Sequence, residues 1–413
     1  MNIVGIVAEY NPMHNGHIYN INKAKELTNA DYVVIIMSGS FTEQGNIATI
    51  DKFSRARFAI ENGADIVLEL PTIYAISSAE NFAFGAINIL NSLGIVTHLA
   101  FGAESDNICE LKDIANTYIN NKNEILTNTK IYLKEGISSA SAYNKALEDF
   151  LTTKTANKSL PNNILAIEYL KSLIMLKSQI EPILIKRLES SHSDNKLPAS
   201  GEYASSTAIR NILSDTSLSI EEKLLKIQNI IPENIYNYIA NNSYNINENM
   251  WENLKYEIIK LKQNGLKNIY EVNEGLENKL YEEALKSRSY EEFIFNVKSK
   301  RYSLGRVKRI CLYILLGITK SLYESFNIAK YARVLKVKTE SSKLLSNIYN
   351  NATVPLITKV TDNEIKLLDE HIQKSINLDI LANNIAFPNL ANLDYTNKIT
   401  QPWMHRVVFR FVV

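Results

Sequence analysis

The sequence predicts an α/β protein: a parallel sheet with helices on both faces over residues 1–214, then a mainly helical region over 215–413. Three observations predict it. Short apolar, β-branched runs alternate with helical patterns from residue 3 to residue 102. Glycine-bearing polar turns follow the strand-like runs. Beyond residue 215 helical periodicity takes over and strand signals fade.

"IVGIVA" (3–8) is an unbroken apolar run, the pattern of a strand buried on both faces of a parallel sheet. "GHIYNINKAKELT" (16–28) repeats apolar residues at Ile18, Ile21, Ala24 and Leu27, which is helical spacing. "DYVVIIMSG" (31–39) is the second strand, ended by Gly39, and "DKFSRARFAIENGA" (51–64) a helix with glycine near its C-terminus. "DIVLELP" (65–71) is a third strand, stopped by Pro71. "SAENFAFGAINILNSLG" (78–94) is a helix, and "VTHLAFG" (96–102) a fourth strand. Residues 107–160 read as helices joined by polar turns. "PNNILAIEYLKSLIMLK" (161–177) is helical from about Ile164, "EPILIKRLE" (181–189) a short strand, and "ASGEYASSTAIRNIL" (199–213) begins loose and becomes a helix. Helices follow near 219–230, 250–263, 276–286 and 304–318. A shorter α/β piece over 330–393 holds a strand candidate in "TVPLITK" (353–359). The tail "QPWMHRVVFRFVV" (401–413) is assigned no element.

Parallel sheets bind ligands outside the carboxyl ends of their strands. Three turns follow strand ends: "EYNPMHNGH" (9–17), "SGSF" (38–41) and "FGAES" (101–105). They are expected to converge on one site.

The formal net charge of +1 over 413 residues predicts no partner, but its distribution does. Residues 1–212 hold 18 basic and 22 acidic side chains, and residues 213–413 hold 27 and 22. Within 298–338 eleven Lys or Arg face Glu324 alone, which suggests a polyanionic partner for the second half. The two cysteines, Cys109 and Cys311, form no zinc or disulfide pattern and imply a reducing compartment. The opening residues show no basic n-region and too short an apolar run for a signal peptide, and no apolar run approaches the ~18 residues of a membrane span, so no membrane is expected and the cytoplasm is the expected location.

The chemistry begins at His14-Asn15-Gly16-His17, on the turn between the first strand and first helix. Glycine lets backbone approach a phosphate, and a helix N-terminus offers N–H groups and partial positive charge. Two imidazoles can donate to phosphate oxygens as charge builds in a transition state. This suits attack on the α-phosphate of ATP with pyrophosphate leaving. Histidines three apart with no third ligand nearby make a poor metal site, and no resident metal is expected. "ASSTAIR" (204–210) sets hydroxyls at a helix start with Arg210 one turn in, a second anion site.

HxGH on the first turn with [ST]xxxR late in the domain resembles the Rossmann-like nucleotidylyltransferase superfamily. "GIVAEYNPMHNGH" (5–17), "MSGSF" (37–41), "ENGADIVLELP" (61–71), "FGAES", "PNNILAIEY" (161–169) and "ASSTAIR", in that order, resemble the tRNA(Met) cytidine acetate ligase family. The likeness extends to "KSKRYSLGRVKRICLYILLGI" (298–318). It implies residues 1–214 as a nucleotidylyltransferase-like catalytic domain and 215–413 as a basic tRNA-binding region. The implied reaction joins acetate to ATP as acetyladenylate, then moves the acetyl group to N4 of the wobble cytidine of elongator tRNA(Met). ATP is the implied substrate; Mg2+ is compatible with it, though no carboxylate cluster dictates the ion. Two alternatives remain open from the residues: a nucleotidylyltransferase acting on a small metabolite, or a non-catalytic tRNA-binding protein with a nucleotide site.

By the same resemblance, Val7, Ala8, Glu9, Tyr10, Asn11, Pro12, Met13, His14, Asn15, Gly16, His17, Ile18, Tyr19 and Asn20 would wrap ATP, with His14 and His17 catalytic at the phosphates. Gly102 would lie under the nucleotide. Asn162 or Asn163 would bond the adenosine, and Arg187 would stack on it or bond it. Ser206, Thr207 and Arg210 would meet the β- and γ-phosphates. Lys300, Arg301, Arg306, Lys308 and Arg309, near Tyr302, would hold tRNA. Where the family has a Gln-Arg-Gly-Glu-Pro run, this chain reads Glu43, Gln44, Gly45, Asn46, Ile47.

Overall fold

A computed structural model describes residues 1–136, 139–151, 160–186, 203–326 and 328–390. Its centre is a seven-stranded sheet of β1 (Ile3–Ala8), β2 (Tyr32–Ser38), β3 (Ile66–Leu70), β4 (His98–Ala103), β5 (Glu181–Lys186), β6 (Ala332–Val337) and β7 (Leu356–Ile357). The spatial order is β5-β4-β1-β2-β3-β6-β7. The first five strands pair in parallel, so the α/β expectation holds. Residues Val33 to Met37 of β2 are all fully buried, as a strand covered on both faces requires. Their side chains alternate between two cores. Val34 and Ile36 join Ile3, Leu68 and Leu99 on one face, while Val33, Ile35 and Met37 join Val4, Ile6 and Val67 on the other.

The chain winds outward from β1 through β2 to β3, then crosses to β4 on the opposite side of β1. The carboxyl ends of β1 and β4 therefore flank the point where winding reverses. A crevice opens there, because the connections leave in opposite directions.

The chain beyond 215 is mainly helical, as expected, and it also returns to the sheet. β6 runs antiparallel to β3, and β7 parallel to β6. Buried charges fasten this return. Lys52 Nζ lies 2.8 Å from the Glu69 carboxylate on β3, and Arg333 on β6 lies 3.0 Å from it. Nearby, Asp379, on the helix Glu370–Ala386, accepts from the Thr72 amide and the Tyr331 hydroxyl, both at 2.7 Å. Burial pushes the Asp379 carboxyl up to about 7. Removing one partner from such a group strands another charge in the interior.

The helix at 161 starts earlier than its apolar spacing implied, running Pro161–Met175. Proline suits a first helical position, and the Glu104 carboxylate accepts from the amides of Asn162 (3.3 Å) and Asn163 (2.9 Å). The 401–413 tail lies outside the described residues.

Candidate active site

The helix Asn15–Thr28 begins at the carboxyl end of β1 with a cap built from two imidazoles. His14 Nδ1 accepts from the Gly16 amide at 3.1 Å, and the His14 amide donates to His17 Nδ1 at 3.2 Å. A backbone N–H can only donate, so both Nδ1 atoms are acceptors. In the neutral rings the proton then sits on Nε2. The rings lie 3.8 Å apart, and Tyr10 meets His17 edge-on at 5.0 Å.

This changes the expected reason for the glycine. A Cβ on Gly16 would come within 3.0–3.1 Å of the His14 ring, so glycine makes room for the cap itself. It also changes the source of donors. The Asn15 amide is spent on the Ile230 carbonyl at 3.1 Å and the Gly16 amide on His14, so the first amides of this helix are not offered to a ligand. The imidazoles face the crevice in their place.

"ASSTAIR" closes over this turn. Ser205 caps the helix Ser206–Ser214 by accepting from the Ala208 amide. Ser206 Oγ donates to the Pro12 carbonyl at 3.2 Å, and Arg210 donates to the Asn11 carbonyl at 2.7 Å and to Thr207 Oγ1 at 3.0 Å. The two motifs, nearly 200 residues apart, form one hydrogen-bonded unit.

A single pocket at the β1/β4 ends is lined by Val7, Ala8, Glu9, Tyr10, Asn11, His14, Gly16, His17, Tyr19, Asn20, Gly102, Asn162, Ser206, Thr207 and Arg210. Other expected residues fall elsewhere. Met13 is buried among apolar side chains, Ile18 packs on the same cluster, and Asn15 donates to the Asn229 carbonyl. Pro12 presents its carbonyl to Ser206. Asn163 does not line the pocket; its Oδ1 accepts from the Glu104 and Ser105 amides, both at 3.0 Å, fixing the turn after β4. Of the pair, Asn162 is the one beside the pocket, with Nδ2 on Glu104 at 2.6 Å. Arg187 lies outside the described residues.

Glu9 and Glu43 are the two carboxylates among the lining residues. The Glu43 amide donates to Glu9 at 2.7 Å. Burial raises the Glu9 carboxyl, against the amide of Glu43 and the charges of Arg210 and Arg55, which lower it. Burial pushes Glu43 up to about 7; Arg309 opposes the rise and Glu9 adds to it.

Comparison with known proteins places this chain. A model of the HIGH nucleotidyl transferase family matches residues 1–400. The tRNA(Met) cytidine acetate ligase of Clostridium novyi (strain NT) is 38% identical over 397 residues, covering 94% of this chain and 97% of that protein. The protein of that name from Thermoanaerobacter sp. (strain X514) is 37% identical over 408 residues, covering 97% and 99%. This chain belongs to that family. Among solved structures, Thermotoga maritima TmcAL without ligand matches with a TM-score of 0.86 at 30% identity, covering 94% of each chain. The same protein bound with alpha-thio ATP matches with 0.85 at 29% identity, covering 97% of each.

Residues 43–47 form a tight loop, and the basic helix Leu304–Leu315 packs behind it. Gly45 has φ +74°, and a Cβ there would lie 2.6–2.7 Å from Lys308 and the Arg309 amide. Lys308 Nζ donates to Asn46 Oδ1 at 2.9 Å, and Arg309 to the Glu43 carbonyl at 3.3 Å. These two expected RNA contacts therefore hold the loop. Arg306 pairs with Glu271 at 2.7 Å and lies over the Tyr302 ring; Arg301 pairs with Glu274; Lys300 is exposed. The acids balancing the basic run come from earlier in the chain, out of reach of a local count.

The pocket includes residues that sequence reasoning did not assign to the ligand: Glu43, Gln44, Phe101, Tyr169, Lys186 and Tyr203. Tyr169 carried a signal, because it stands seven residues after Asn162 and so shares its helix face. Arg55 left none. Its buried guanidinium donates to carbonyls of Ile50 (2.8 Å), Glu9 (2.6 Å), Ser38 (3.0 Å) and Gly39, tying the β1 and β2 ends together.

Proposed function

We propose that this chain is an ATP-dependent acetate ligase that makes acetyladenylate and transfers the acetyl group to N4 of the wobble cytidine of elongator tRNA(Met). The observation that carries this reading is the double-imidazole cap, whose Nδ1 atoms are committed to backbone amides so that Nε2–H groups serve as donors. An acetate oxygen attacks the α-phosphorus, and the bond to the β-phosphate bridging oxygen breaks on the opposite side. His14 and His17 donate to the phosphate oxygens as their charge grows. Ser206, Thr207 and Arg210 hold the departing pyrophosphate. Asn162 bonds the adenosine, and Gly102 gives it space on β4.

In the second step the cytidine amine attacks the acyl carbon, the acyl C–O bond to the phosphate breaks, and AMP leaves with that electron pair. The amine loses one proton, for which the AMP phosphate is the acceptor on hand. Mg2+ would arrive on the ATP phosphates. Among the described residues no group of three or more His, Cys, Asp or Glu side chains could hold a metal, and no helix is long and apolar enough to cross a membrane. The cytoplasm is the compartment this reading requires.

The test supplies ATP, labelled acetate and unmodified tRNA(Met), then digests the RNA. Label in N4-acetylcytidine that disappears in His17→Ala supports the reading. Tight binding of ATP and tRNA with no labelled nucleoside refutes it.

A further inference from the structure

A second groove opens beside the activation pocket, with a volume of about 680 Å³, inside the ~300–1,000 Å³ span of ligand clefts. The two cavities share Gln44, Thr207 and Arg210 in their walls. The loop at 43–46 is thus a partition: Glu43 lines the pocket, Asn46 lines the groove, and Gln44 lines both. The far wall of the groove comes from the helix Tyr290–Val297 and the turn after it.

We propose that this groove receives the acceptor RNA as a single-stranded, unstacked segment, with the reacting base entering the pocket past Gln44. The proposal rests on the acetyl-transfer reading above. An amine engaged in a base pair inside a duplex cannot reach a reactive atom at the bottom of a crevice, so the strand must arrive with that base turned out. The groove wall suits such a strand. Phe295 is 76% exposed and Leu304 42% exposed, and both line it. A solvent-facing phenyl ring is a platform on which any base can stack. Lys298 is exposed on the same wall, one turn beyond the ring, where a neighbouring phosphate would lie. Asn211 adds an amide donor and acceptor for base edges, and Asn245, whose Nδ2 donates to the Ala386 carbonyl at 2.6 Å, adds its Oδ1 acceptor. Aromatic platform, cation and amides together match unpaired RNA rather than a duplex, whose bases present no face to stack on.

The test uses the full chain with a stem-loop RNA carrying the anticodon arm of elongator tRNA(Met). In Phe295→Ala the Kd for this RNA rises roughly ten-fold, the size expected on losing one stacking platform. Lys298→Ala weakens binding and flattens its salt dependence. Tyr256→Ala removes a ring that is 65% exposed but outside the groove, and changes Kd less than about two-fold. A 4-thiouridine next to the wobble cytidine crosslinks to a peptide spanning 290–298. Unchanged Kd in Phe295→Ala, equal affinity for a fully paired RNA, or crosslinks confined to other segments would overturn the groove assignment. Those results leave the function itself standing if the unaltered protein still acetylates tRNA. Failure of the unaltered protein to do so removes the functional reading first.

Discussion

Glu43→Gln tests the electrostatics of the partition loop. Burial holds the Glu43 carboxyl at about 7, against an ordinary 4.5. Between those values the unfolded chain releases a proton that the folded chain keeps, so the carboxyl's contribution to stability is present at low pH and lost as pH rises through about 7. The full rise corresponds to ~3 kcal/mol. A fifth of the side chain reaches solvent, which lowers the expected effect to about 1–2 kcal/mol. Glutamine keeps an oxygen for Arg309 and carries no ionisable proton. The variant should match the parent near pH 5 and exceed it by about 1–2 kcal/mol at pH 8. Urea unfolding followed by circular dichroism at pH 5, 6, 7 and 8 measures the gap. A gap that stays constant, or a parent more stable at pH 8, would refute the reasoning, because the carboxylate would then be ionised and held by Arg309.

Arg55→Met leaves four buried carbonyl partners without their donor and should cost about 3–5 kcal/mol, read as a lower unfolding midpoint. Arg55→Lys should recover only part of that, since one ammonium cannot span carbonyls that the guanidinium fork reaches at once. Gly45→Ala combines a left-handed backbone with a collision against the 304–315 helix, for a cost of about 2–4 kcal/mol. If the loop instead lifts off the helix, melting temperature will be preserved while acetyl transfer falls.

The sheet was legible because each of its first five strands is a short apolar run with its own end signal, and burial on both faces leaves an unbroken pattern. The HxGH turn was legible because its chemistry lies within four consecutive residues, and "ASSTAIR" because cap and arginine sit within one turn. What escaped depends on contacts distant in sequence. β6 pairs antiparallel with β3 across more than 260 residues, and nothing in "ARVLKV" (332–337) names its neighbour. The role of Glu104 depends on the helix at 161, whose first amides it accepts from across more than 50 residues. Arg301 and Arg306 looked unopposed because Glu274 and Glu271 stand about 30 residues earlier.

The partition loop also ties the pocket wall to the mainly helical region beyond residue 215. Its inner face supplies Glu43 and Gln44 to the pocket, but its own contacts are few: the Phe41–Ile47 bridge and the turn at Thr42 and Asn46. Glu9 accepts from the Glu43 amide and Asn11 donates to the Ile47 carbonyl, and further anchoring comes from beyond residue 215. Asn247 accepts from the Ile47 amide at 3.0 Å and donates to Asn46 at 2.9 Å, while Lys308 and Arg309 bond Asn46 and Glu43. A force on the helical half therefore reaches the pocket wall through side chains that also border the groove. RNA seated against Lys298 and Phe295 would press on the next helix, which carries Lys308, with only a short turn between them. Under the groove assignment, acceptor occupancy and pocket shape would be coupled through one loop. That loop is where side chains from beyond residue 215 reach the pocket wall.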